Sequence, residues 1–96
     1  MLELKPTCEN CNKSLPNDKP GAMICTIECI FCLDCVTTIL HNVCPNCGGG
    51  LEKRPIRPKE MLKRYPQSTR EYFHPVNLDT FQAVLNKYRN IEPEQR

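Results

Sequence analysis

Eight cysteines fall between Cys8 and Cys47 with the spacing Cys8-x2-Cys11-x13-Cys25-x3-Cys29-x2-Cys32-x2-Cys35-x8-Cys44-x2-Cys47. A C-x-x-C turn sets two sulfurs on one side of a tight loop, at two corners of a tetrahedron with Zn–S distances of about 2.3 Å. Four such pairs suffice for two zinc ions. Cysteines this close in sequence rarely meet disulfide geometry with one another, which disfavours a disulfide framework. An iron–sulfur cluster is the other alternative. Catalytic zinc keeps an open position and normally a nitrogen or oxygen ligand. Eight sulfurs for two ions leave neither, so the expected role is structural and the chain is not expected to be an enzyme. His41, before Cys44, reads as a solvated loop residue, and His74, between Phe73 and Pro75, as structural or exposed.

The knuckle Cys44-Pro45-Asn46-Cys47-Gly48-Gly49 adds detail. Glycine after its second cysteine permits a positive φ, which lets backbone N–H groups point at sulfur. The stretch that carries the cysteines has one aromatic residue, Phe31, and no tryptophan. Apolar burial alone cannot offset its chain entropy, so cross-links must hold it.

The elements that would position these sulfurs are short. The expected fold is a small zinc-stabilised α+β module over residues 1–50, followed over residues 51–96 by a basic, Pro-rich linker and helices packed on it. Within the module, Ala22–Ile30 reads as a hairpin and Leu33–Leu40 as one short helix behind Cys32 and Cys35. Gly48-Gly49-Gly50 reads as a flexible stop. Leu51–Lys59 is Pro- and Arg-rich and therefore extended. Lys59–Tyr65 suits two helical turns between Pro58 and Pro66, and Gln67–Phe73 suits another short turn. The clearest helix spans Leu78 to Asn90, with Asn77 or Asp79 as N-cap. Its stripe of Leu78, Phe81, Val84, Leu85 and Tyr88 must bury. It is expected to pack on the zinc module or, in a homodimer, on its twin through the 78–90 helix; a dedicated partner-binding helix is the other reading.

Charge divides the chain. Residues 1–50 hold three Lys/Arg and five Asp/Glu, whereas residues 51–96 hold ten and six. Zinc-bound thiolates are deprotonated, so metal loading makes the first half more acidic still. No apolar run reaches the ~18 residues of a spanning helix. The start Met-Leu-Glu-Leu-Lys-Pro lacks the basic and apolar regions of a secretory signal. A cytoplasmic location is therefore expected, where thiols stay reduced and available to metal.

The order of pairs resembles a RING finger, whose last pair commonly reads C-P-x-C; Cys29 stands where most RING fingers have histidine. That resemblance implies a binuclear cross-brace, in which Cys8, Cys11, Cys32 and Cys35 hold one zinc and Cys25, Cys29, Cys44 and Cys47 the other. A LIM-like sequential pairing would join Cys8 and Cys11 to Cys25 and Cys29, although these loops are short for LIM. Over residues 1 to about 75, the strings L-E-x-x-P-x-C-E-x-C, I-C-x-x-E-C-x-F-C-x-x-C and C-P-N-C-G-G-x-L-x-x-R-P-I-R-P resemble a family of small bacterial cysteine-rich proteins of unknown function. Leu2, Glu3, Pro6, Glu9, Glu28, Phe31 and Arg57 occupy its motif positions. The resemblance implies a bacterial zinc protein and brings no activity with it.

The favoured expectation is a non-enzymatic zinc module that presents a surface to a protein partner. A ubiquitin-ligase role by RING analogy fits poorly. Glu9-Asn10 fill the first C-x-x-C, tryptophan is absent and Gly48 follows the last cysteine, where ligases use an aliphatic, a tryptophan and a basic residue. Nucleic-acid binding would draw on Lys53, Arg54, Arg57, Lys59, Lys63, Arg64 and Arg70. Interleaved Glu52, Glu60 and Glu71 and the lack of aromatic rows for base stacking weigh against it. The simpler expectation is that the arginines pack against the acidic module. Oxidation of the thiolates with release of zinc is a further alternative.

Overall fold

The computed structural model describes all residues, Met1–Arg96. Strand β1 (Ala22–Ile24) and strand β2 (Ile30–Cys32) form the expected antiparallel hairpin, with Met23 opposite Phe31. The hairpin reaches further than expected, so β2 delivers Cys32 directly to the start of the helix. Its turn is closed by Cys25 N–H on the Cys29 carbonyl at 3.1 Å, with Glu28 in the left-handed region at φ 66°. The linker is extended, as its prolines require. Two of its residues, strand β3 (Glu52–Lys53), add a third strand to give the order β2-β1-β3.

Helix α1 begins at Leu33–Cys35, with Cys32 as its N-cap. It then widens over Val36–Leu40, where the N–H of His41 reaches back to the Val36 carbonyl. Thr37 and Thr38 donate their hydroxyls to the carbonyls of Leu33 and Asp34 at 2.8 and 2.7 Å. Such back-bonding bends helices and accounts for a loosened turn where a regular helix was expected. His41 and Asn42, both at positive φ, end it. Val36 and Leu40 bury its inner face.

Helix α2 (Lys59–Arg64) lies between Pro58 and Pro66 as expected and buries no residue. Gln67–Phe73 is not helical. The N-terminal segment takes its polar groups instead: Ser68 N–H bonds the Leu4 carbonyl at 2.8 Å, Gln67 Nε2 the Leu15 carbonyl at 3.2 Å, and the Ser68 and Tyr72 hydroxyls both bond Glu3 Oε1. Lys5 Nζ lies 4.8 Å from the Tyr72 ring centroid, a cation–π contact that closes the same joint.

Helix α3 (Leu78–Tyr88) is capped by Asn77, whose Oδ1 accepts from Asp79 N–H and Thr80 N–H at 3.0 and 3.3 Å. Phe81 and Leu85 are buried in one core with Cys8, Cys25, Cys29, Cys32, Cys35 and Cys44, and Val84 and Tyr88 pack at its edge. The stripe thus lies against the cysteine module. Each of the two buried side chains contributes roughly 1.5–3 kcal/mol. Only Leu78, 59% exposed, overhangs it.

One further expectation needs correction. Gly48-Gly49-Gly50 is a packing platform and not a flexible stop. Gly48 is buried at φ 76°, and a Cβ there would meet the Tyr88 ring at 2.6 Å; one on Gly50 would meet Pro93 at 2.9 Å. The linker arginines do pack against the module, as expected, and they do so through its backbone carbonyls. Buried Arg54 donates to Lys5 O and Leu15 O at 2.9 and 3.0 Å, and Arg57 to Leu2 O and Tyr65 O, both at 2.6 Å. A guanidinium brings five donors and no acceptor, and carbonyls are what a buried loop has to offer it.

Candidate metal centre

Cys8 and Cys11 stand on the first loop, and Cys32 and Cys35 on the end of β2 and the first turn of α1. Their four sulfurs lie within 4.8 Å of one another. A tetrahedral ion with Zn–S bonds of 2.3 Å requires S···S edges of about 3.8 Å. Cys8 and Cys35 are 3.9 Å apart and Cys11 and Cys32 3.7 Å, so the cage fits such an ion. This is the set that the RING resemblance places around one metal, and it joins pairs whose nearest members, Cys11 and Cys32, are 21 positions apart.

The second set combines the β1–β2 turn with the knuckle after α1. The sulfurs of Cys25, Cys44 and Cys47 lie within 4.8 Å of one another, and Cys29 falls outside that mutual limit. Its sulfur is still part of the neighbourhood, hydrogen-bonded to the thiols of Cys44 and Cys25. The Cys44 thiol donates to Cys29 and holds it down at about 6 against the opposing effect of burial. The same bond, followed by burial, pushes Cys44 up. In the first set burial pushes Cys35 up to about 12. Burial also opposes ionisation of Cys8, but the N–H groups of Cys11, Cys32 and Asn10 outweigh it and hold that thiol below its ordinary value. The two sets therefore stabilise thiolate on particular members, the form that metals bind.

Donors to sulfur surround both sets. The N–H groups of Ile27 and Cys29 point at Cys25 Sγ at 3.4 and 3.2 Å, that of Asn46 at Cys44 Sγ at 3.4 Å and that of Gly49 at Cys47 Sγ at 3.4 Å. The last depends on the positive φ of Gly48, as the sequence suggested. Three side-chain donors had no reading in the sequence: Asn10 Nδ2 on Cys35 Sγ at 3.4 Å, Asn46 Nδ2 on Cys29 Sγ at 3.1 Å and Thr26 Oγ1 on Cys47 Sγ at 3.4 Å. A signal for the first two was present. Asn10 and Asn46 hold the same place, immediately before the second cysteine of a C-x-x-C. Each reaches across to the second cysteine of the pair it faces.

The motif glutamates also have tasks. Glu9 Oε2 accepts from Ile30 N–H at 2.5 Å and from Lys5 at 3.3 Å, fixing the first cysteine loop to β2. Glu28 Oε1 accepts from Glu3 N–H at 3.0 Å. His41 and His74 belong to neither sulfur group. Of the basic residues, Arg54 and Arg57 are used internally and Arg70 lies 3.9 Å from Glu3. No helix is long and apolar enough to cross a membrane.

Residues 1–57 match a family described as "Protein of unknown function (DUF1272)". An uncharacterised protein of Rhizobium meliloti (strain 1021) is 55% identical over 75 residues, which cover 78% of this chain and 89% of that protein. No solved structure matches.

Proposed function

Since the chain belongs to this family of unknown function, whose matched residues carry every cysteine, we propose that it is a non-enzymatic module built on two structural zinc ions that presents a surface to a protein partner in the bacterial cytosol. One ion is held by Cys8, Cys11, Cys32 and Cys35, the other by Cys25, Cys29, Cys44 and Cys47, in a RING-like cross-brace. The observation that carries the reading is the first sulfur cage, whose 3.9 and 3.7 Å edges suit a tetrahedral ion. All four donors are sulfurs, which leaves no position for a substrate.

Three observations support a binding module over the alternatives. Asn10 bonds a sulfur and Gly48 is sealed under Tyr88, so neither place offers the contact that a RING-type ligase makes there. Arg54, Arg57 and Arg70 are occupied within the chain, which reduces the basic face for nucleic acid. Six of the eight cysteines lie in the core, with Cys47 packed at its edge and Cys11 exposed.

Native mass spectrometry of protein made without added metal, read against the denatured mass, tests the metal content. Two zinc ions per chain are expected. A metal-free chain lighter by eight hydrogens means four disulfides and overturns both the metal and the compartment.

A further inference from the structure

Helix α2 buries none of its residues, although the chain before it runs along the apolar N-terminal segment. Between the two lies an open groove of about 330 Å³, lined by Met1, Leu2, Leu4, Ile56 and Met61. Leu4 is fully buried and forms its floor, whereas Met1, Ile56 and Met61 are 81%, 53% and 38% exposed. Tyr65, one turn after Met61, is exposed too. A small groove edged by exposed apolar side chains suits a short apolar segment.

The charges around it say what covers it. Lys53, Lys59, Lys63 and Arg64 take part in none of the ion pairs, which are Lys5–Glu9, Lys13–Asp34 and Arg70–Glu3. Three of the four lie on α2, which at six residues is about 9 Å long. That is close to the Debye length of about 8 Å at physiological salt, so their fields overlap around the helix that forms one wall of the groove, with Arg64 on the same side as Met61. Glu60 is the one acidic residue among residues 53–64, against six Lys/Arg. A symmetric dimer through this face would bring like charges together, and a nucleic acid would make no use of a methionine- and isoleucine-lined groove. We propose that this face docks an acidic protein segment carrying apolar residues: its leucine-like side chains enter the groove beside Met61 and its carboxylates pair with Arg64, three residues on from Met61 on the same side of α2. The proposal rests on the reading of the chain as a protein-binding module and names the surface and the chemistry of its partner.

The test uses the full metal-loaded chain, titrated with a synthetic peptide of interspersed Glu and Leu, its Glu-only and Lys-and-Leu counterparts, a single-stranded oligonucleotide and vesicles containing phosphatidylglycerol. Amide and methyl NMR shifts report the contact. The Glu-and-Leu peptide is expected to bind best, to shift Ile56 and Met61, and to lose about tenfold in affinity with Met61→Asp or with Arg64→Glu, both at exposed positions. Metal counts confirm that the variants are intact. Equal binding of the Glu-only or the Lys-and-Leu peptide, no binding by any of them, or tighter binding of the oligonucleotide or the vesicles overturns the proposal. Shifts confined to another face, with both metals held, overturn this surface alone and leave the protein-binding reading in place.

Discussion

In the first cysteine set Asn10 reaches from between Cys8 and Cys11 to the Cys35 sulfur, and in the second Asn46 reaches from between Cys44 and Cys47 to the Cys29 sulfur. The plan is shared, but the surroundings differ. The first set brings all four sulfurs together and leaves Cys11 exposed. The second brings three together and is roofed by the C-terminal segment. Tyr88 lies on Gly48, Pro93 on Gly50, and Arg96 donates to the carbonyls of Asn42 and Gly48 at 2.9 and 3.1 Å. Sulfur geometry thus defines the first site and packing defends the second. The comparison teaches that one ligand pattern can be stabilised either from inside or from outside.

The largest effect that can break this comparison is loss of metal. Stripping with a strong chelator is expected to remove of order 10 kcal/mol per site and abolish the cooperative thermal transition followed by circular dichroism. Cys32→Ser is expected to do the same through the first site, and an unchanged melting temperature would sink the cross-linked picture. Cys29→Ser should be milder, since its sulfur stands outside the mutual set. The expected outcome is one tightly held and one readily exchanged zinc by native mass spectrometry. Gly48→Ala forces a Cβ into the Tyr88 ring at a left-handed φ, with an expected cost of about 1–3 kcal/mol. Metal release to a colorimetric chelator should quicken at the second site only. Asn10→Ala and Asn46→Ala should each weaken their own site by about tenfold, read as separate zinc affinities by competition. Arg96→Ala is expected to cost at most about 1 kcal/mol and to leave the first site unmoved.

Much of this organisation was legible in the residues. The hairpin, the helix at Lys59 and the last helix follow from patterns that short-range physics enforces: the β-branched residues of Ala22–Ile30, Pro58 and Pro66 as boundaries, and a 3.6-residue stripe over Asn77. Gln67–Phe73 misled because its helix-compatible side chains are recruited by Glu3 and Leu4, more than 60 residues earlier in the chain. Such tertiary bonds leave no local trace. The glycine triplet misled for a related reason: glycine permits flexibility and close approach equally, and only Tyr88 and Pro93 decide between them. At the site, spacing exposed the pairs, whereas the grouping of sulfurs rests on how β2 turns into α1. Asn10 and Asn46 were visible as a repeated position, but their reach to a sulfur depends on the facing loop.

The interleaving of the two sulfur sets also fixes an order of events during synthesis. The first set has its last member at Cys35, while the second waits for Cys47 and its roof for Tyr88 and Pro93. On the proposed metal-bound reading, a nascent chain can therefore close its first loop while the second set still lacks Cys44 and Cys47. Closing that loop shortens the search left to Cys25 and Cys29, because an ordered stretch costs less to bring to its partners than a free one. Translation itself thus supplies a direction that the finished, compact molecule no longer displays.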